Sequence, residues 1–299
     1  MTPRDVAELV RAPAALTVLG DTLAGMASAP PGTRVPARRA LLPAASACLY
    51  LGGMALNDYA DRDLDAVERP ERPLPSGRVT PGQALAVGAG LTAAGVTIAG
   101  VAGGRRSLAV ALPLAACVWT YDLVAKDRPV GPVVMAACRG LDVLLGAAPT
   151  GLRPALPAAG ALAAHTLGVT ALSRGEVHGT TTAVAGTVAA GTVAVTALSA
   201  AAAVARGGTG SAASRVGAVA AAAAYAASCL PAQARAAQDP SAGAARAATG
   251  AGIRAMVPLQ AAWTLRGGRL ASTAVLAAAA AAGQLLRRRS RARAGVSIT

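Results

Sequence analysis

Phenylalanine is absent from these 299 residues, lysine occurs once, and the aromatic side chains number only two Trp and four Tyr. Any step that needs a π-face must therefore draw on Tyr50, Tyr59, Tyr121, Tyr225, Trp119 or Trp263. Cysteine is scarce too. Cys48, Cys117, Cys138 and Cys229 fall in four separate apolar segments without C-x-x-C spacing, which excludes a thiolate metal site and a disulfide framework and leaves them as small buried hydrophobes. Acid is rare, with 14 Asp and Glu against 28 Lys and Arg, for a net charge of +14. The chain has no folded polar domain on which those basic residues could form a groove. They lie in short loops and a C-terminal tail, so nucleic-acid binding is excluded in favour of membrane orientation and phosphate binding.

What is present is apolar and small. Hydrophobic residues make up 54% of the chain, mostly Ala, Val and Leu, with 34 Gly. Windows of about 17–25 such residues cross a bilayer as helices, and small side chains let those helices approach closely. Apolar spans are expected near 12–29, 40–57, 83–103, 107–122, 131–149, 155–173, 181–205, 213–231, 250–265 and 270–286. The ninth is short and holds Arg254, so about nine full crossings are expected. The fold class is thus all-α: one polytopic transmembrane helical bundle over 1–299, ending in a basic cytoplasmic tail, 287–299. If all ten segments cross with the N-terminus in the cytoplasm, the Lys/Arg bias of the loops and the RRRSRAR run of that tail fall on the cytoplasmic side; the protein is expected in the inner (plasma) membrane. Arg4 and Arg11 are balanced by Asp5 and Glu8, and Asp21 interrupts the first apolar run, so that run is expected to be a retained helix rather than a signal peptide.

Six of the 14 carboxylates crowd into NDYADRDLDAVERPERPLPSGRVTP, from Asn57 to Pro81. At 100° per residue, Asn57, Asp58, Asp61 and Asp65 share one helical face about 100° wide, and Asp63 points away from it. Like charges stacked at i, i+4 repel unless a cation relieves them. Mg²⁺ suits this face, because it takes oxygen ligands, commonly one or two carboxylates completed by water and phosphate. A solvated juxtamembrane loop is the other reading of an acidic run alone. The RPLPS segment is too proline-rich for helix, so Arg69, Arg72 and Arg78 sit on an irregular loop able to fold over a ligand. Thr80-Pro81-x-Gln83 then spells a capping box opening the third span.

Two further polar clusters follow apolar spans. Tyr121, Asp122, Lys126, Asp127 and Arg128 include the only lysine, which suits either a diphosphate or a topology anchor. Ser173-Arg174-Gly175-Glu176-Val177-His178-Gly179 offers Glu176 to a second cation and Arg174 to a phosphate; His178 reads as a loop residue. Inside the fifth span Arg139 and Asp142, three apart, are expected to form an ion pair lining the site, and Asp21 is expected to pair with Arg139 or Arg254.

The acidic motif with its arginine–proline loop, placed after the second span, resembles the first aspartate-rich motif of the UbiA superfamily of intramembrane prenyltransferases. RAPAALT with Asp21, YDLVAK, GPVVMAACRGLDVLLG and GIRAMVPLQA are similar to the EboC-like branch. Where the family usually shows a second D-x-x-x-D, this chain has SRGEVHG with only Glu176 acidic. The resemblance implies a helical bundle of about nine spans and Mg²⁺ held by Asn57, Asp58, Asp61 and Asp65, with Glu176 at the second motif. Arg72, Arg78, Tyr121, Lys126, Arg139 and Arg174 would meet a prenyl diphosphate reached from the lipid bilayer, at a site facing the cytoplasm. The implied reaction is isoprenyl transfer to an unidentified acceptor, with Asp58, Asp61, Asp65 and Glu176 as catalytic residues. Cyclisation of the prenyl diphosphate on the same scaffold, and a non-enzymatic membrane transport or assembly role, are the alternatives.

Overall fold

The computed structural model describes residues 1–11, 18–30, 32–33, 35–205 and 210–268. The expected tenth span and the basic tail lie outside the described residues. Among the described residues the structure is helical, without strands. The helices are α1 (Pro3–Leu9), α2 (Leu19–Ala27), α3 (Leu42–Ala60), α4 (Arg62–Glu68), α5 (Pro81–Thr120), α6 (Gly131–Ala147), α7 (Leu156–Ser173), α8 (Thr182–Val204), α9 (Ala212–Gln238) and α10 (Ala242–Arg266). A 3₁₀ turn, Ala37–Leu41, leads into α3, and a π-turn, Tyr121–Ala125, follows α5.

Among the described residues, five stretches are long and apolar enough to cross a membrane: Ala37–Ala60, Pro81–Ala125, Arg153–Ser173, Thr182–Val204 and Ala212–Gln238. The second folds back on itself. At Gly104 the backbone takes φ 62° and ψ −147°, a conformation open to glycine and costly for residues with a Cβ. Trp119 Nε1 then donates to Thr92 Oγ1 at 3.1 Å across the hairpin. The two limbs answer to the expected third and fourth spans. Thr80 opens the first limb as the sequence spells it: its hydroxyl accepts from Gln83 N at 3.2 Å and its N–H donates to Gln83 Oε1 at 3.0 Å.

The ninth expected span, near 250–265, lies within α10, a longer, 25-residue helix from Ala242 that is not among these five stretches. Arg254 is exposed, while Ala245, Ala248, Ala255, Leu259 and Trp263 are buried on the other face. Its apolar stripe faces protein, so a low overall apolar content does not prevent it from packing in the bundle.

α6 is shared between two halves. Val143 joins a core with α2, α7, α9 and α10 built around Tyr225, Leu259 and Trp263. Cys138, Leu145 and Ala148 join a second core with α3 and both limbs of α5. α2 crosses α6 backbone to backbone: a Cβ on Gly25 would fall 1.8 Å from Val143 O, and one on Gly146 would fall 2.0 Å from Thr22 O. Only hydrogen fits at either position.

Candidate active site

The acid face is built where α3 leaves its apolar stretch. Asp61 N donates to Asn57 O at 2.9 Å and Asp65 N to Asp61 O at 2.8 Å, so the helical ladder runs on from α3 into α4 with a bend at Asp61, φ −90° and ψ 6°. Asn57, Asp58, Asp61 and Asp65 therefore turn inward together. Asp58 and Asp65 are 3% and 2% exposed, whereas the Asp63 side chain is 89% exposed.

Each inward acid holds a basic partner. Arg72 Nη1 donates to Asp65 Oδ2 at 2.5 Å and lies 3.5 Å from Asp58 Oδ1; Arg69 Nη1 lies 3.6 Å from Asp65 Oδ1. Lys126, from the segment after the π-turn, donates to Asp61. Arg11 Nη2 donates to Asp58 Oδ1 at 2.7 Å and to Asn57 Oδ1 at 3.3 Å. Arg11 does so from left-handed backbone, φ 48°, a conformation that costs a non-glycine residue about 1–3 kcal/mol and persists when surroundings impose it. Arg11 opens the RAPAALT segment, but no spacing in the sequence points to its partners, which lie 46 and 47 residues away.

The arginine–proline loop closes over this end. Leu74 and Val79 are buried among Leu9, Val10, Ala55 and Ala84, so the loop and α1 share one small apolar core. Arg78 spends its hydrogen bonds on α1 and the loop, donating to Asp5 at 2.8 Å, to Glu8 at 2.7 Å and to the Glu71 carbonyl at 2.9 Å. The Thr2 N–H and hydroxyl, with Arg78 behind them, hold the Asp5 carboxyl down at about 2, and Arg78 and Arg4 hold Glu8 below its ordinary range. A carboxyl lowered in the folded state stabilises above its unfolded value, near 4, and loses that contribution as pH falls through the folded value. The attachment of α1 should thus be complete at neutral pH and weaken between about pH 4.5 and pH 2. A nitroxide at position 7, exposed on α1, should gain mobility over that window and, in Arg78→Ala, already at pH 7. Constant mobility down to pH 2 contradicts this.

Three polar clusters meet at the same end of the bundle. Lys126 reaches Asp61, Arg174 Nη1 donates to the Arg128 carbonyl at 2.7 Å, and Thr180 N donates to the Pro240 carbonyl at 2.8 Å. Glu176 and Tyr121 are half-buried here, and His178 is exposed. A cavity of about 570 Å³ opens between α1 and the loop, with Arg4, Glu8, Arg11, Asp58 and Arg72 in its wall. A second, of about 400 Å³, lies beside Arg174 and Thr181.

The expected Arg139–Asp142 pair is corrected. Arg139 Nη1 donates to Asp21 Oδ2 at 2.5 Å, and Gln260 Nε2 donates to Asp21 Oδ1 at 2.7 Å. Asp142 accepts from Ser46 Oγ at 2.7 Å. Each of the two bonds to a different neighbouring helix, Arg139 to α2 and Asp142 to α3. His165 makes two hydrogen bonds, to Tyr225 Oη at 2.9 Å and the Gly252 carbonyl at 3.0 Å, rather than the expected one.

Donor chemistry decides whether these residues suit Mg²⁺. The inward face offers only oxygen, the hard donor this ion prefers, and the charge it carries already draws cations. Among the described residues no three carboxylate, imidazole or thiol groups lie close enough together to hold an ion, and the acids of this face contact guanidinium or ammonium groups instead. The donor set fits the ion in kind, with arginine and lysine side chains acting as its substitutes.

The site is thus an acid face at the end of an all-helical apolar bundle, closed by an arginine–proline loop. The chain belongs to the UbiA prenyltransferase family, which it matches over residues 18–255. A digeranylgeranylglyceryl phosphate synthase of Methanopyrus kandleri is 40% identical over 125 residues, 42% of this chain and 45% of that protein. The synthase of Natronomonas pharaonis is 34% identical over 154 residues, 50% of this chain and 53% of the relative. The chain spans about half the length of the curated relatives it matches. An apo structure of a UbiA homolog from Aeropyrum pernix K1 shares the fold with a TM-score of 0.65 at 20% identity, covering 85% of this chain and 97% of that one. A UbiA homolog from Archaeoglobus fulgidus, bound to DMAPP and Mg²⁺, superposes with a TM-score of 0.55 at 15% identity over 66% of this chain and 76% of the other.

Proposed function

We propose that this protein catalyses Mg²⁺-dependent transfer of an isoprenyl group from an allylic prenyl diphosphate to an acceptor within the membrane. The observation that carries this reading is the meeting of the acid face, Lys126 and Arg174 at one end of an apolar bundle of this family. The Archaeoglobus fulgidus homolog was solved with DMAPP and Mg²⁺, which supports the diphosphate and the ion. The relatives named digeranylgeranylglyceryl phosphate synthase make a prenylated glyceryl phosphate the first acceptor to test.

In this reading Asn57, Asp58, Asp61 and Asp65 hold Mg²⁺, with Glu176 contributing beside the diphosphate. The ion when bound supplies charge that stabilises the departing pyrophosphate. Arg72, Lys126 and Arg174 add positive charge on the same leaving group, preorganised by the contacts that now hold them. Tyr121 presents a ring to the allylic cation, and the apolar helices exclude water from it. Arg78 acts through α1 and the loop, and Arg139 belongs to the internal pair with Asp21 rather than to the substrate. The site end faces the cytoplasm, and the bundle lies in the plasma membrane.

The test is pyrophosphate release by purified protein in lipid, with prenyl diphosphates of increasing length, with and without Mg²⁺ and a prenylated glyceryl phosphate. Release that requires Mg²⁺ supports the reading; none with any diphosphate ends it, and a hydrocarbon product without acceptor would assign cyclisation instead. In the same assay Glu176→Gln should raise the Mg²⁺ concentration needed for half-maximal release, and an unchanged requirement takes Glu176 out of the site.

A further inference from the structure

One nitrogen of Arg11, Nη2, donates to Asn57 Oδ1 at 3.3 Å and to Asp58 Oδ1 at 2.7 Å. Oxygens of adjacent residues on the inward face thus converge on a single cationic atom. A hard divalent ion takes such oxygens as ligands, and a guanidinium, all donors and no acceptor, answers the same pair with hydrogen bonds. The two cannot hold these oxygens together, because both would stand where the oxygens converge, and like charges so close repel.

The backbone behind Arg11 is anchored. Thr2 caps α1, Arg78 bonds Asp5 and Glu8, and Leu9 and Val10 are buried against the loop. The side chain is held less tightly: it is 37% exposed, against 21% for Arg72 and 14% for Lys126, which bond the other acids of this face. Its departure also removes contacts that keep residue 11 at φ 48°, so the backbone can relax as the guanidinium leaves. Asp58 keeps a basic neighbour throughout, since Arg72 Nη1 lies 3.5 Å from its Oδ1.

We propose that Arg11 is an exchangeable counter-ion: a divalent cation displaces it from Asn57 and Asp58, and the freed guanidinium turns into the cavity between α1 and the loop to donate to phosphate oxygens of the substrate. The proposal rests on the reading of the acid face as a Mg²⁺ site for a diphosphate. That cavity, of about 570 Å³, has Arg4, Glu8, Arg11, Asp58, Glu71 and Arg72 in its wall. Glu8 is already bonded to Arg4 and Arg78. With the ion on Asp58, Arg11 and Arg72 face Glu71 alone, and the balance of charge favours an anion. The ion thus raises affinity for the diphosphate twice, by its own charge and by releasing Arg11.

Two measurements on full-length protein in lipid nanodiscs test this: Mn²⁺ binding without pyrophosphate, read from the electron spin resonance of the free ion, and binding of radiolabelled pyrophosphate at saturating Mg²⁺. Arg11→Met should bind Mn²⁺ about tenfold or more tightly than the parent, since a basic group beside a carboxylate alters its affinity for a competing cation by about 10–1,000-fold. It should bind pyrophosphate about tenfold more weakly, the effect of losing one hydrogen bond to a charged group. Arg11→Gly suits the left-handed backbone and should shift both affinities the same way, which separates the side-chain charge from the fold of the segment. Arg11→Lys should stay within about threefold of the parent in Mn²⁺ binding, because one cationic nitrogen makes both contacts. An arginine that only supports the acid face predicts the opposite sign. Mn²⁺ affinity that falls in Arg11→Met and Arg11→Gly, or does not change, therefore overturns the proposal, and so does pyrophosphate binding equal to the parent's. Mn²⁺ bound by neither parent nor variants counts against the functional reading itself, and the proposal falls with it.

Discussion

Asp61→Ala and Asp65→Ala each lower Mg²⁺-dependent pyrophosphate release by about 10²–10³-fold or more, while Asp63→Ala stays within about twofold of the parent. All three lie within five residues, carry the same charge, and differ only in the direction their side chains take. Asp61 and Asp65 point inward against Lys126 and Arg72, and Asp63 points to solvent. The losses should come without unfolding, because the acid face lies at the end of the bundle and outside the apolar cores. Single-turnover rates beside size-exclusion profiles in detergent decide the matter. An Asp63→Ala protein as inactive as Asp61→Ala would defeat the assignment of faces.

Asp21→Leu should be the most destabilising single change, by about 3 kcal/mol or more, because it leaves the Arg139 guanidinium in an apolar interior without its carboxylate. The lost hydrogen bonds alone would not do this, since those between membrane helices average only about 0.6 kcal/mol. The stranded charge is the larger effect. Asp21→Leu combined with Arg139→Met removes both charges and should recover most of the loss. Unfolding in bicelles by a denaturing detergent measures it; equal stability of Asp21→Leu and the parent would mean that Arg139 finds water or another acceptor at no cost.

Local periodicity made much of this legible in the sequence. The 3.6-residue repeat identified which acids share a face, since α3 and α4 keep their ladder through Asp61. Thr80 and Gln83 announced the cap of α5, and the break between the apolar spans 83–103 and 107–122 marked its fold-back. Partners far apart in sequence were not legible. Arg139 and Asp142 have the spacing of a helical ion pair, yet each sits between two other helices and bonds across rather than along its own. Arg11 opens the RAPAALT segment, yet nothing in that segment announces its partners, which it reaches where Leu9 and Val10 dock on the loop. The α10 segment shows the remaining limit: hydropathy reports what faces lipid, and a helix whose apolar stripe faces protein scores poorly.

The pairing of Asp21 with Arg139 also sets a clock on how the protein is made. The two residues are 118 apart in the chain. At about 5–20 residues per second, α2 emerges from the ribosome roughly 6–24 s before the arginine that neutralises it. Throughout that interval an acid without its counter-charge waits at the membrane, where insertion scales set its cost at about 2.5–3.5 kcal/mol. Because α2 meets α6 through the glycine-lined crossing, no earlier helix can take its place. α2 therefore stays without its counter-charge until α6 has been made, and the core that it shares with α6, α7, α9 and α10 closes only as those later helices follow.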